Sequence, residues 1–142
     1  MIAQTLTTSF KKQLLTATHD FTPSTGDSFK IALYLPTASI GADTTVYTSD
    51  GEVSGTNYSA GGVALTTITP ASSGTTAYVS FNAVTFTNLT VLNIAGALIY
   101  NSTKGNKSVA VLNFGASKSM SSQNFVVTFP TAAATTAIIR FP

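Results

Sequence analysis

Cysteine and tryptophan are absent from the 142 residues, and histidine occurs once. Without cysteine there are no disulfides, thiolate nucleophiles, zinc–thiolate centres or iron–sulfur clusters. Without tryptophan, a common residue for sugar stacking and for anchoring interfaces is missing. Charge is scarce as well: 8% of residues are Asp, Glu, Lys or Arg, against about 25% in a typical soluble domain. Five carboxylates and one imidazole leave little for acid–base chemistry, which argues against an enzyme. Seven Lys/Arg give a net charge of +2. The pI near 9.0 reflects how few groups titrate, so no dense basic face for nucleic acid is expected. No apolar run approaches the roughly 18 residues of a membrane span. Met1 to Leu15 carries Lys11 and Lys12 amid short apolar stretches. That is not the charged-then-apolar order of a secretory signal, and assembly in a cytoplasm is expected.

What fills the deficit is hydroxyl: 25 Thr and 16 Ser. Hydroxyls bind water but give little charge repulsion, so such a surface resists self-association weakly. Hydrophobic residues make up 44%, enough for an ordinary core. With no repeat, linker or shift in composition, residues 1–142 read as one β domain.

Ser9 reads as the N-cap of a short helix over residues 8–18, in which Phe10 and Leu14 share a face. Pro23 follows its end. Residues 28–142 read as β. Phe29, Ile31, Leu33 and Leu35 alternate with Lys30, Ala32 and Tyr34. Further short strands are expected at 44–48, 63–69, 77–81, 84–87, 91–100, 109–114, 124–129 and 137–141, with a bend at Gly96 and a hairpin loop at 101–106. Such spacing predicts an all-β fold, an antiparallel β-sandwich or jelly-roll-like. Its core should include Phe29, Ile31, Leu33, Val79, Phe81, Phe86, Leu98, Val111, Phe114, Val127 and Phe129.

Few constellations carry chemistry. His19-Asp20 is the one His–carboxylate neighbour pair. No Gly-x-Ser-x-Gly elbow accompanies it, and it reads as a helix cap and turn. Asp50 and Glu52 flank Gly51, with Asp43 nearby. They are weak calcium candidates of no EF-hand spacing and read first as a solvated acidic turn. Lys104 and Lys107 make a small basic hairpin tip suited to an acidic patch on a partner. Five tyrosines could line a sugar-binding face, but aromatics in strands more often pack inside. Ile2 and Leu6 mark residues 1–8 as an N-terminal arm that orders on a neighbour. The last strand runs almost to residue 142, as an edge strand or one pairing with another subunit, and Arg140 could guard it. No catalytic residue and no cofactor are expected.

Three segments resemble small virion proteins of tailed bacteriophages. They are Gly51-Glu52-Val53-Ser54-Gly55-Thr56-Asn57-Tyr58-Ser59-Ala60-Gly61-Gly62, then Gly96 to Thr103, then Val109 to Gly115. The opening helix with His19-Asp20-Phe21 fits the same resemblance. It implies a capsid cement or decoration protein in the virion, bound to the major capsid protein or another virion protein. A tail or fibre component is the alternative within that class. A carbohydrate-binding or host-recognition module is the alternative outside it. A homo-oligomer, dimer or trimer, is expected, with no direct nucleic-acid or membrane partner.

Overall fold

The computed structural model describes residues 1–142. The chain is mostly strand, with one short helix and antiparallel sheets packed together, an all-β sandwich. In order the elements are β1 (Thr5–Leu6), α1 (Thr8–Leu14), β2 (Phe29–Tyr34), β3 (Gly55–Thr56), β4 (Val63–Ala64), β5 (Ala71–Ser73), β6 (Thr76–Val79), β7 (Val84–Asn101), β8 (Lys107–Val127) and β9 (Ile139–Phe141). One sheet has the order β1-β8-β7-β2-β4, with β3 continuing along the β7 edge that β2 occupies; the other has the order β5-β6-β9. All named pairings are antiparallel.

The β7–β8 hairpin organises the molecule. Its turn falls at 102–106, where the basic tip was expected. The segments expected at 84–87 and 91–100 fuse into β7, and those at 109–114 and 124–129 fuse into β8. The pairing is not uniform. Register shifts punctuate it between Phe86 and Gly96, and Asn88, Asn93 and Ser122 take positive φ there. Such bulges bend strands that would otherwise be too long to stay flat. The 44–48 strand is reduced to a bridge between Val46 and Lys107, and most of 63–69 is loop.

Alternation sorts side chains to two cores. Phe29, Ile31 and Leu33 of β2, with Ala97 and Ile99 of β7, face a main cluster that also holds Phe10, Val79, Phe81, Phe129 and Ile139. Ala32, Tyr34, Leu98, Tyr100 and Val111 face a second cluster, closed by Ile2, Ala38 and Ile40. Both faces of this part of the sheet are therefore covered, which is why β7 is buried without interruption from Ile94 to Asn101. Aromatic contacts tie the layers together. Phe21 stacks on Phe29 at 4.4 Å, and Phe81 lies 5.8 Å from Phe29 and 5.6 Å from Phe129. Of the expected core, Phe114 alone is half-buried; the rest is buried.

The N-terminus corrects the sequence reading. Residues 1–8 are no free arm: Ile2 is 6% exposed and bridges Ile40, and Leu6 pairs with Ala110. Gly96 makes this docking possible. A Cβ there would lie 2.9 Å from the Ile2 side chain and 2.4 Å from the Leu112 carbonyl. The helix is capped by Thr7, not Ser9; the Thr7 hydroxyl accepts from the Phe10 N–H at 3.3 Å and is itself held by Ser108 at 2.9 Å. It stops at Leu14 rather than near 18, and Ala17 turns to a φ of 54°. The last strand pairs with β6 of its own chain (Tyr78 opposite Arg140), leaving its other edge open.

Candidate functional site

Residues capable of chemistry fall into two clusters, and each ties a loop to the hairpin. The first surrounds His19, which is 8% exposed. Its Nε2 meets Gln13 Oε1 at 2.7 Å, and its Nδ1 meets the Asn101 amide nitrogen at 3.0 Å. An oxygen on one side and an NH2 on the other set the neutral tautomer, with the proton on Nε2. Burial pushes the imidazole below its ordinary 6.5, against the pull of Asp27. Asp20 is not its partner: that carboxylate turns back to the Thr22 N–H at 2.9 Å. Hydrogen bonding with Thr22 holds it below the usual carboxylate range. Asp27 closes the cluster, accepting from Asn101 at 2.7 Å and from the Asp20 N–H at 2.9 Å, with Lys104 3.8 Å away. Both ring nitrogens are thus engaged by side-chain amides.

The second cluster centres on Glu52. Here the solvated acidic turn expected from Asp50-Gly51-Glu52 is corrected. Asp50 is exposed, but the Glu52 carboxylate turns in and accepts from Tyr47 (2.5 Å), Tyr58 (2.7 Å) and the Gly61 N–H (2.7 Å). Around it the Tyr34 hydroxyl donates to the Thr48 carbonyl and the Tyr100 hydroxyl to the Gly61 carbonyl. Burial first and Glu52 second push these four phenols above their ordinary 10.0. Asp50 instead shares a polar cleft with Asp43, so the pair expected to share a cation faces different surroundings. The same network turns four of the five tyrosines away from any sugar-binding platform, leaving Tyr78.

The expected partner-contact residues are scattered. Ile2 and Leu6 are packed within the chain. Lys104 sits in the hairpin turn and Lys107 opens β8. Arg140 is exposed, and its guanidinium donates to the Thr135 carbonyl at 2.8 Å, bracing the loop before β9.

What the structure brings together instead is an apolar groove between α1 and the small sheet. Leu14 and Phe21 form one wall; Ala77, Val79, Ile139 and Phe141 form the other. Ala77 lies opposite Phe141, and Val79 opposite Ile139, so the four share a sheet face. The groove measures about 170 Å³, and none of its ten lining residues is charged. Leu15 (89% exposed) lies just beyond α1, and Phe141 (45% exposed) forms the groove's outer end. The sequence signals were present, in the Leu14-Leu15 pair and the alternation of Ile139 and Phe141, but their convergence is a property of the fold. No family model, curated protein or solved structure matches the chain.

Proposed function

We propose that the chain is a non-enzymatic virion structural protein of the tailed-phage type, a capsid cement or decoration protein bound across junctions between major capsid subunits. The observation that carries the reading is the uncharged groove with Phe141 exposed at it, on a surface otherwise rich in hydroxyls. Such a surface can be buried against a neighbour without the heavy cost of desolvating ions. The titratable groups of the two clusters, His19, Asp27 and Glu52, are occupied in holding loops. The resemblance of 51–62, 96–103 and 109–115 to small phage virion proteins supports the same class. A protein of this kind acts by mass action: it binds the assembled lattice better than free subunits and so stabilises the lattice. Many symmetric copies turn modest contacts into high avidity.

Cryo-electron microscopy of the purified particle tests this. The expected result is density for this fold at junctions on the head, and earlier thermal rupture of particles lacking the chain. Density confined to tail or fibre would favour the tail-component reading, and particles without the chain would overturn both.

A further inference from the structure

We infer that His19 is an acid-sensitive latch: protonation of its imidazole frees residues 15–27 from the β7–β8 hairpin while the sheets stay folded. The segment is docked by few attachments. Its backbone hydrogen bonds run within itself or back to α1, and none reaches the sheet. Its side-chain hydrogen bonds to the hairpin meet at one group, the Asn101 amide nitrogen. That nitrogen donates to His19 Nδ1 at 3.0 Å and to Asp27 Oδ2 at 2.7 Å. Beyond these lie the looser Lys104–Asp27 pair at 3.8 Å and the stack of Phe21 on Phe29. His19, 8% exposed, is the most buried residue of the segment.

Asn101 fixes what the ring can do. Its Oδ1 accepts from the Thr103 and Lys104 N–H groups, at 3.1 Å each. A flip of the amide would turn its NH2 onto those two donors and its oxygen onto the Asp27 carboxylate. The NH2 therefore stays aimed at Nδ1, which must keep its lone pair. The other ring nitrogen already donates to Gln13. A second proton thus sets donor against donor at Nδ1, in a buried place where neither finds another acceptor at that position. Release of the segment relieves this, because the ring then meets water. Phe21 is one wall of the groove beside α1, so release also takes that wall away.

The surroundings of the ring set the direction of the response. Burial acts most strongly and disfavours the imidazolium. Asp27 of the same segment favours it, while Lys107 of β8 and Lys104 of the hairpin turn disfavour it. Asp20 is turned to the Thr22 N–H. From α1 the ring meets Gln13 and the Phe10 ring at 5.0 Å, both uncharged, and Lys11 and Lys12 are exposed. The closed form therefore holds the imidazole below its ordinary 6.5, and the open form restores that value. Protons bind the open form more tightly, so acid shifts the balance toward it. Above 6.5 the ring is neutral in both forms, and the latch stays closed.

The test exploits the lack of cysteine. Thr25→Cys and Ser117→Cys, both at exposed positions, carry spin labels. The distance between the labels is measured by pulsed electron resonance at about pH 7.5 and about pH 5. His19 is the one side chain whose ordinary range lies between those values. One narrow distance is expected at the higher pH. At the lower pH a second, broad population should rise by about threefold or more. Amide protection in β2 and β7, corrected for intrinsic exchange, should stay the same. His19→Gln should give the same distribution at both pH values. An NMR titration of the parent ring should show the proton on Nε2 and a midpoint below 6.5. Identical parent distributions at the two pH values would overturn the inference, since Asp27 would then be holding a charged His19 in place. A midpoint at or above 6.5, protection lost equally across β2 and β7, or a His19→Gln chain that opens with acid as the parent does would also overturn it. The parent's two measurements decide even where His19→Gln fails to fold.

Discussion

Glu52→Ala removes the shared acceptor of three donors and should loosen the 49–62 segment from the main sheet. The loss can be worked from the contacts. The Tyr58 hydroxyl and the Gly61 N–H lose bonds of 2.7 Å each to an ionised oxygen, and such bonds contribute about 1.5–3 kcal/mol apiece. Tyr47, half-buried, can turn to water and adds little. Relief from desolvating a half-buried carboxylate offsets part of the sum, leaving about 3 kcal/mol. For a chain of this size about 2–4 °C follows each kcal/mol, so the melting temperature should fall by about 6–12 °C. Glu52→Gln keeps one acceptor oxygen without the charge and should cost about 1–2 kcal/mol. Thermal melts by circular dichroism measure both, and a double-mutant cycle with Tyr58→Phe should give a coupling of about 1–2 kcal/mol. A Glu52→Ala melt within about 2 °C of the parent, or zero coupling, would refute the reasoning. Val53 and the Tyr100–Gly61 bond would then hold the segment unaided.

Gly62 has a φ of 73°, and a Cβ there would lie 1.8 Å from the Ile31 carbonyl oxygen of a central strand. Gly62→Ala should cost more than about 4 kcal/mol, seen as loss of folded yield; a variant melting near the parent would contradict the placement of this turn. His19 has a folded pKa below its ordinary 6.5, so above 6.5 it is neutral in both states and leaves stability unchanged. As pH falls below 6.5 the unfolded chain takes the proton first, and stability declines until the folded pKa is passed. Urea melts across that window should fall more steeply for the parent than for His19→Gln, and parallel curves would remove His19 as the cause. Deleting residues 1–6 uncovers the second core and removes β1. At about 1.5–3 kcal/mol for Ile2 alone, the melting temperature should drop by several degrees; an unchanged melt would restore the free-arm reading.

Strand positions were legible wherever one face is buried and the other is not. Phe29, Ile31 and Leu33 announce β2 through a period of two. The long middle of β8 was not legible. Gly115 to Asn124 has no apolar alternation, because that stretch is almost wholly exposed and its pairing with β7 is broken by bulges. Ile2 was misread for a different reason. Its partners, Ile40 and the space above Gly96, are distant in sequence, and the four apolar residues among the first six, three of them consecutive, do not alternate. Glu52 shows the limit for sites. The dipeptide Asp50-Gly51 does make the turn, but nothing local indicates that the next side chain swings inward. Tyr47 and Tyr58 stand five and six residues to either side, and only the folded loop brings both hydroxyls to one carboxylate.

The scarcity of charge and the roles of the few charges present are connected. Two long stretches, 15–28 and 35–62, are irregular apart from the two residues of β3 and a few bridges, and must be held against the sheet. Asp27 ties the first to β7 by taking Asn101 and the Asp20 N–H, and Glu52 draws the second together by taking two tyrosines and the Gly61 N–H from that same stretch. An ionised acceptor satisfied from several sides fixes a loop more firmly than hydroxyls can, and it stays tolerable in a half-buried place because its lone pairs are filled. That use engages the same groups within the chain. On the small sheet and the helix the chain keeps no carboxylate at all, and the groove between them has uncharged walls. A surface so divided offers an uncharged groove on one side and loops held by carboxylates elsewhere.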